Sequence, residues 1–319
     1  METLDLDQQY IDRIQEITFD PIFIMGVQRS GTSILYKLLS KTDSFNIIKA
    51  YHIIKNKELI YNHINKLEDN SKKELADFFK NKYQMDRGID KLQITPDFPE
   101  EYGFVLAQET GKSQLTRESL KTFREFCKKV QYISENNKPV LLKNPFDFSN
   151  FVFIKENIPN AKFIFIHRTP IKTLNSQINS LRTLLKQKSE YMALLSPSYD
   201  KMFSNKILYN YYKFMYNSLS SITTNKAIKN LANRTKYFLE NIESIEKNDY
   251  ILTRYEDICN KPNDEIKKIM NFLKIKPQLK TDFSTYIKPR KVDILKELRK
   301  QEDYIAKTIE PYLKYFGYL

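Results

Sequence analysis

Cysteine and histidine are scarce in this 319-residue sequence. The two cysteines, Cys127 and Cys259, are too few and too isolated for a disulfide framework or a cysteine-based zinc site. The three histidines (His52, His63 and His167) have neither the HxH nor the HExxH spacing of a metal site. We therefore expect a protein of a reducing compartment that needs no metal.

Long apolar runs and a secretory leader are also missing. No stretch approaches the roughly 18–20 apolar residues that a helix needs to cross a bilayer. The first ten residues, METLDLDQQY, lack the basic start and the apolar core of a signal peptide. The sequence thus predicts a soluble, cytoplasmic protein with no membrane span.

Acidic residues are outnumbered, because 39 Asp and Glu stand against 52 Lys and Arg and give a net charge of +13. Such a surplus is compatible with nucleic acid, an acidic membrane face or an anionic ligand. The lysines are spread over the whole chain instead of forming one stripe, which is typical of compositional bias. We therefore expect no nucleic-acid partner. The hydrophobic fraction of 41% is that of an ordinary globular protein.

Residues 21–39 have the pattern of a strand, a tight loop and a helix. The apolar run 22–25 predicts a buried strand, and a helix with one apolar face begins at Thr32 and Ser33. Such a unit directs several backbone N–H groups and a helix N-terminus at one point. That arrangement suits an anion.

The loop in this stretch is nearly a Walker A loop. Gly26 and Gly31 have the required spacing, but Thr32 occupies the position of the Walker lysine. A basic residue, Arg29, lies inside the loop instead. The displaced cation predicts that the loop binds an anion in a different way from an ATPase.

Three further apolar segments, 139–143, 161–167 and 249–254, predict strands. Stretches with helical periodicity separate them, at 7–17, 44–67, 71–85, 115–136, 148–157, 171–188, 197–222 and 263–273. The region 86–111 is rich in Pro and Gly and predicts irregular structure. This alternation predicts a three-layer α/β fold around a parallel sheet. We expect one domain, 1–319, with helical insertions at about 44–136 and 190–235.

Basic residues occur at the ends of the predicted strands. Arg29 follows the first strand, Lys143 ends the second and Arg168 follows the third. Because the carboxyl ends of parallel strands meet at one sheet edge, these cations should converge there. Ser176 lies eight residues after Arg168, with Pro170 at the start of a helix between them, and the turn there decides whether both reach one anion.

A P-loop kinase or NTPase is the second hypothesis from these residues. Such enzymes need the lysine that Thr32 replaces, and usually a carboxylate at a strand end for Mg²⁺. The strand 161–167 is followed by Arg168 instead. Asp147 lies beyond Pro145 and is more simply the N-cap of a helix.

Four segments, in order GVQRSGTSIL, VLLKNPFD, NAKFIFIHRTPIKTLNSQ and RYEDI, resemble the sulfotransferases that use 3′-phosphoadenosine 5′-phosphosulfate (PAPS). They are more similar to the branch with the tyrosylprotein and many bacterial sulfotransferases. The resemblance covers about residues 21–41, 139–180 and 249–275. It implies a P-loop-like fold with helical elaborations on the acceptor side. It also implies sulfuryl transfer from PAPS to an acceptor hydroxyl, with 3′,5′-adenosine bisphosphate as product and no metal.

The resemblance also implies roles for individual residues. Gln28 takes a position where the family commonly has proline. The loop would hold the 5′-phosphosulfate, and Arg168 and Ser176 would hold the 3′-phosphate. Tyr255 would lie near the adenine, and Lys143 would approach the bridging oxygen or the transferring sulfuryl group. The implied loop residues are Gln28, Arg29, Ser30, Gly31, Thr32 and Ser33.

The sequence leaves several residues as candidates for the catalytic base. Small-molecule sulfotransferases use a histidine in a K-T-H segment, whereas this sequence has Lys143 followed by Asn and Pro. The more similar branch uses a glutamate, and the segment FPEEYGF offers Glu100 and Glu101, with Glu101 favoured by the family pattern. The alternative is that both are exposed loop carboxylates. Glu109 and His52 are the next candidates.

The acceptor and the basic C-terminal segment are not assigned. A glycan, a lipid, a small molecule or a peptide tyrosine all fit the sequence. Lys288, Arg290 and Lys291 could cover the donor, but a solvated basic segment is the favoured interpretation. An inactive nucleotide-binding relative without a working base is the third hypothesis.

Overall fold

The computed structural model describes residues 4–82, 94–216, 221–278, 281–287 and 292–319. Across these residues, five parallel strands form one sheet in the order β2-β3-β1-β4-β5. The strands are β1 Pro21–Met25, β2 Asn46–Ile47, β3 Val140–Lys143, β4 Lys162–His167 and β5 Tyr250–Arg254. The predicted α/β class with a central parallel sheet is confirmed.

Helices cover both faces of this sheet, and every residue of β1 is buried. Successive side chains on a strand point to opposite faces. Phe23 therefore packs with Phe163 in one core, while Ile22 and Ile24 pack with Leu35 in the other. A sheet covered on both faces explains why its strands read as continuous apolar runs.

The helices are α1 Thr32–Ser40, α2 Ala50–Ile54, α3 Leu59–Ile64, α4 Glu68–Lys82, α5 Gly103–Thr110, α6 Leu120–Ile133, α7 Phe151–Asn157, α8 Pro170–Lys186, α9 Glu190–Leu195, α10 Pro197–Ser204, α11 Lys206–Met215, α12 Ser221–Asn241, α13 Tyr255–Asn260, α14 Pro262–Leu273, α15 Lys296–Arg299, α16 Glu302–Thr308 and α17 Glu310–Tyr315. Short 3₁₀ helices lie at Gln8–Ile14, Pro145–Ser149, Ile242–Ser244 and Phe283–Tyr286. Along the part of the chain described, no helix combines the length and apolar character needed to cross a bilayer.

Two of the predicted segments are wrong in part. The predicted helix 44–67 begins with the edge strand β2, whose two residues are too few to give a periodic signal. The predicted irregular region 86–111 contains α5, and its first five residues are all buried. A helix that is apolar on most sides has no amphipathic period, so the pattern was not visible. Residues 86–93 of that region lie outside the described residues.

The chain changes direction across the sheet at β1. From β1 it runs to the edge strand β2, returns through β3, and then crosses β1 to form β4 and β5. Loops that leave neighbouring strands in opposite directions open a crevice at such a point. The loops after β1, β3 and β4 therefore meet at the carboxyl edge of the sheet.

Candidate active site

The loop between β1 and α1 is a tight turn in which Arg29 and Gly31 have positive φ angles of 70° and 108°. The Ser30 N–H donates to the Val27 carbonyl at 3.0 Å and closes the turn. A Cβ atom on Gly26 would lie 2.4 Å from Ser30 Oγ and 2.8 Å from the Ile166 carbonyl oxygen. The glycine is thus required for the loop to pack against β4. Such turns gather N–H groups on one side, where they can bind an anion.

Three hydrogen bonds connect this loop to helix α8 and to Arg168, which precedes the helix. Arg29 Nε donates to Ser176 Oγ at 3.1 Å, and Arg168 Nη1 donates to the Arg29 carbonyl at 3.0 Å. Gln177 Nε2 donates to the Gln28 carbonyl at 2.7 Å. The turn at the start of α8 therefore brings Arg168 and Ser176 together around Arg29, which the sequence spacing alone could not decide.

Tyr255, the first residue of α13, lies against both the loop and Arg168. A Cβ atom on Gly31 would come within 2.3 Å of the Tyr255 ring, so only glycine allows this approach. The Arg168 guanidinium lies 4.4 Å from the ring centroid, within range of a cation–π interaction. The ring thus holds the guanidinium next to the loop.

Two buried polar atoms at the loop lack a hydrogen-bond partner within the described part of the chain. They are Ser30 Oγ and Arg168 Nε. Buried polar atoms are normally paired, because leaving one unpaired costs about 1–3 kcal/mol. A hydroxyl and a guanidinium N–H can both donate to phosphate or sulfate oxygens. The residues around the loop therefore fit an anionic group such as a phosphate or sulfate.

Lys143, at the end of β3, lies on the other side of the loop. Its Nζ is 2.9 Å from Glu101 Oε1 and donates to Ser33 Oγ at 3.2 Å. The Lys143 side chain is completely buried, whereas the Glu101 side chain is 14% exposed. A fully buried ammonium needs such a partner, because an unpaired charge in the interior costs several kcal/mol. The pair therefore joins the loop, β3 and the segment before α5.

The other three candidate bases lie elsewhere. Glu100 is fully buried and accepts a 2.7 Å hydrogen bond from the Tyr191 hydroxyl. His52 Nδ1 accepts from the Lys49 N–H at 3.3 Å, and burial together with the nearby Lys49 charge lowers the pKa of His52 to about 3. Glu109 is exposed and lines a separate cavity of about 210 Å³ together with Lys129. Glu101, by contrast, forms the ion pair with Lys143.

A buried hydrogen-bond network, which the sequence did not reveal, connects the two segments that carry Glu101 and Lys143. Asp147, expected to be a helix N-cap, accepts from the Tyr102 hydroxyl at 2.6 Å and from Asn144 Nδ2 at 2.7 Å. The cap is instead the side chain of Asn144, which accepts from the Phe146 N–H. Burial raises the pKa of Asp147 while its hydrogen bonds act against that rise. Because Tyr102 follows Glu101 and Asn144 follows Lys143, the network fixes their relative position.

Glu256 is a second position near the loop whose contacts the sequence did not reveal. Thr169 precedes α8, as expected of an N-cap, but its side chain makes no capping bond. Its N–H and hydroxyl both donate to Glu256 Oε1, at 3.1 and 2.6 Å. The Tyr318 hydroxyl donates to the other oxygen of Glu256 at 3.0 Å. Residues of α13 and of the C-terminal end of the chain therefore hold the start of α8. In the sequence, the RYED segment was the only signal that pointed to Glu256.

The structure describes no group of three or more His, Cys, Asp or Glu side chains that could hold a metal ion. This statement covers the described ranges only. The basic residues Lys288, Arg290 and Lys291 lie outside them.

Comparison with known proteins gives a consistent result. The model of a family described as "Sulfotransferase family" matches residues 21–278. No curated protein sequence matches the chain significantly.

Several solved structures align with this chain, and the two below with TM-scores above 0.5 are similar to it in fold. The sulfotransferase STF9 from Mycobacterium avium aligns with a TM-score of 0.66 at 13% identity, covering 97% of this chain and 79% of that one. The sulfotransferase STF1 from Mycobacterium tuberculosis H37Rv gives 0.53 at 12% identity, covering 95% and 80%. A sulfotransferase from Alicyclobacillus acidocaldarius gives 0.48 at 12% identity, covering 94% and 97%.

Proposed function

The chain belongs to the sulfotransferase family, and on that premise we propose that it transfers a sulfuryl group from PAPS to an acceptor hydroxyl. The observation that carries the proposal is the convergence of Arg29, Arg168 and Ser176 beside a glycine loop at a helix N-terminus. The loop and helix start can bind one anion, and the arginine–serine group beside it can bind a second. PAPS carries two such anionic groups, a 5′-phosphosulfate and a 3′-phosphate.

In this proposal the loop holds the 5′-phosphosulfate. The backbone N–H groups of the loop and the hydroxyls of Ser30, Thr32 and Ser33 are its donors. Arg168 and Ser176 hold the 3′-phosphate, and Arg29 lies between the two groups. The unpaired Ser30 Oγ and Arg168 Nε support this assignment, because each would gain an acceptor. Tyr255, packed on Gly31, forms a wall for the adenine side of the donor.

Lys143 and Glu101 would carry the chemistry. Glu101 accepts the proton of the acceptor hydroxyl, the hydroxyl oxygen forms a bond to sulfur, and the bond from sulfur to the 5′-phosphate oxygen breaks. Lys143 stabilises the charge that develops on the leaving phosphate. The proton neutralises Glu101, so Lys143 can exchange its carboxylate partner for the phosphate. The 2.9 Å contact between the two side chains supports this coupling.

The test compares two nucleotides by the thermal stabilisation that each gives. A ligand that binds only the folded state raises the melting temperature according to its concentration and affinity. We expect 3′,5′-adenosine bisphosphate to stabilise the protein strongly and ATP with Mg²⁺ to do so weakly. Strong stabilisation by ATP–Mg²⁺ with none by the bisphosphate would favour a P-loop kinase or NTPase.

A transfer assay is needed to identify the acceptor class and to test whether a base works in catalysis. Labelled PAPS is incubated with glycan, lipid, small-molecule and tyrosine-peptide acceptors, and the wild type is compared with Lys143→Ala. The proposal expects transfer to one acceptor class by the wild type and none by the variant, although the variant keeps its donor affinity. Donor binding without transfer to any class would favour the inactive relative.

A further inference from the structure

Residues 201–239 contain seven Lys and Arg residues but no Asp or Glu. The whole chain has 39 acidic residues in 319, and at that average frequency a stretch of this length would contain about five. The segment covers the end of α10, all of α11 and most of α12. The segment therefore carries a positive surplus that no carboxylate of its own balances.

Helix α11, within this segment, presents an apolar stripe to solvent. Ile207, Tyr211 and Phe214 are 84%, 55% and 71% exposed. Their spacing of four and three residues places them on one face of the helix. Isolated exposed apolar residues are common on protein surfaces, but three on one short helix form a continuous ridge.

The orientation of this face is fixed by the opposite side of the helix. The Tyr209 hydroxyl donates to the Leu185 carbonyl of α8 at 3.0 Å, and Arg182 Nε donates to the Tyr216 carbonyl at the same distance. The Tyr209 ring also packs against Phe203, with centroids 4.9 Å apart. Because the polar and aromatic anchors are on the inner side, the stripe faces outward.

Two exposed lysines, Lys206 and Lys213, lie seven residues apart along one border of the stripe. Within the described residues, neither makes an ion pair. Long lysine side chains can keep their ammonium groups at a charged surface while the neighbouring apolar residues enter it. Aromatic and aliphatic residues bordered by lysines are the pattern of a helix that lies on an anionic membrane.

We propose that the exposed face of α11 docks on a membrane surface that contains anionic lipids. The proposal does not depend on the sulfotransferase reaction. Charge complementarity favours this partner over a second copy of the chain. In a symmetric dimer through this face, each carboxylate-free segment would meet its own positive charge.

The experiment is sedimentation of the full chain with vesicles of phosphatidylcholine alone or mixed with phosphatidylglycerol. We expect binding to the mixed vesicles only, and loss of binding at high salt. The double variants Ile207→Ser with Phe214→Ser, and Lys206→Gln with Lys213→Gln, should each lower the bound fraction about tenfold. All four positions are exposed, so the fold should be retained, and circular dichroism melting verifies this.

A matched control is Tyr304→Ser, which removes an aromatic ring that is 46% exposed on α16. It should bind mixed vesicles like the wild type. Equal binding by the wild type and both double variants, or no vesicle binding at all, would overturn the proposal. So would a wild-type dimer in analytical ultracentrifugation that the apolar variant converts to monomer. Stabilisation by 3′,5′-adenosine bisphosphate should be unchanged in every variant, which separates this proposal from the proposed function.

Discussion

The ammonium group of Lys143 lies 2.9 Å from the carboxylate of Glu101, although the two residues are 42 positions apart and belong to different layers of the fold. Glu100, the neighbouring carboxylate, points into the core and binds Tyr191. One glutamate of the adjacent pair therefore contacts the cation at the sheet edge, and the other supports the fold.

Glu101→Gln should lower kcat by about 10²- to 10⁴-fold, because the amide cannot accept the acceptor proton. Binding of 3′,5′-adenosine bisphosphate, measured by calorimetry below the melting temperature, should change little. Glu109→Gln is the control, since this other candidate base is exposed and lines a separate cavity, and it should keep most of the activity. Equal losses in both variants would remove Glu101 from its proposed role.

Gly31→Ala should abolish binding of the bisphosphate and destabilise the protein. The new methyl group would meet the Tyr255 ring at 2.3 Å, in addition to the strain of a φ angle of 108°. Gly111→Ala controls for the strain alone, because its φ is 72° and no atom lies within 4 Å of the added Cβ. We expect a loss of about 1–2 kcal/mol for Gly111→Ala and a larger one for Gly31→Ala in urea unfolding. Similar losses in the two variants would contradict the close approach of Tyr255.

Tyr102→Phe should reduce both stability and kcat, because it removes the hydroxyl that donates to the buried Asp147 at 2.6 Å. The cost of leaving this carboxylate less paired is about 1–3 kcal/mol. Tyr191→Phe removes a similar buried bond to a carboxylate, that of Glu100, and should cost comparable stability with a smaller fall in kcat. If kcat falls equally in both, Tyr102 does not position the Lys143–Glu101 pair. KM for the donor should be unchanged in either variant.

His167 should make the stability of the protein depend on pH. It stacks on Phe316 at 3.9 Å between ring centroids, and burial lowers its pKa to about 3. The unfolded chain therefore binds this proton at a higher pH than the folded chain does. The neutral, buried His167 therefore makes its full contribution to stability above about pH 6.5. That contribution is lost as the pH falls towards 3, and about 2 kcal/mol of it is lost at pH 5.

His167→Phe should remove this dependence. At pH 7.5 the variant should be about 1 kcal/mol less stable, since the Tyr312 hydroxyl loses the partner that it has at 2.8 Å. At pH 5 the difference should vanish or reverse, as measured by urea unfolding at both pH values. A difference that stays constant between the two pH values would show that burial does not lower the pKa of His167.

The sheet could be predicted where its strands are apolar and covered on both faces, as in β1, β3 and β4. The loop after β1 could also be predicted, because glycine spacing reflects local backbone requirements. Edge strand β2 and helix α5 could not, since one is too short and the other too uniformly buried to have a period.

Long-range contacts account for what the sequence missed in the site. The environment of Asp147 depends on Tyr102, 45 residues earlier in the chain, and no local pattern carries that information. The same holds for Glu256, which contacts Thr169 across 87 positions. The roles of Glu101, Lys143 and Arg168 remain predictions, which the variants Glu101→Gln, Lys143→Ala and Arg168→Met test.

The most direct test of the account is calorimetric titration of the wild type with 3′,5′-adenosine bisphosphate and with adenosine 5′-phosphate. The 3′-phosphate should strengthen binding at least about tenfold, because charged hydrogen bonds contribute about 1.5–3 kcal/mol each. Arg168→Met should remove most of that preference. Arg182→Met, on α8 and paired with Glu297, should keep it. Equal affinity of the wild type for both nucleotides would contradict the donor site described here.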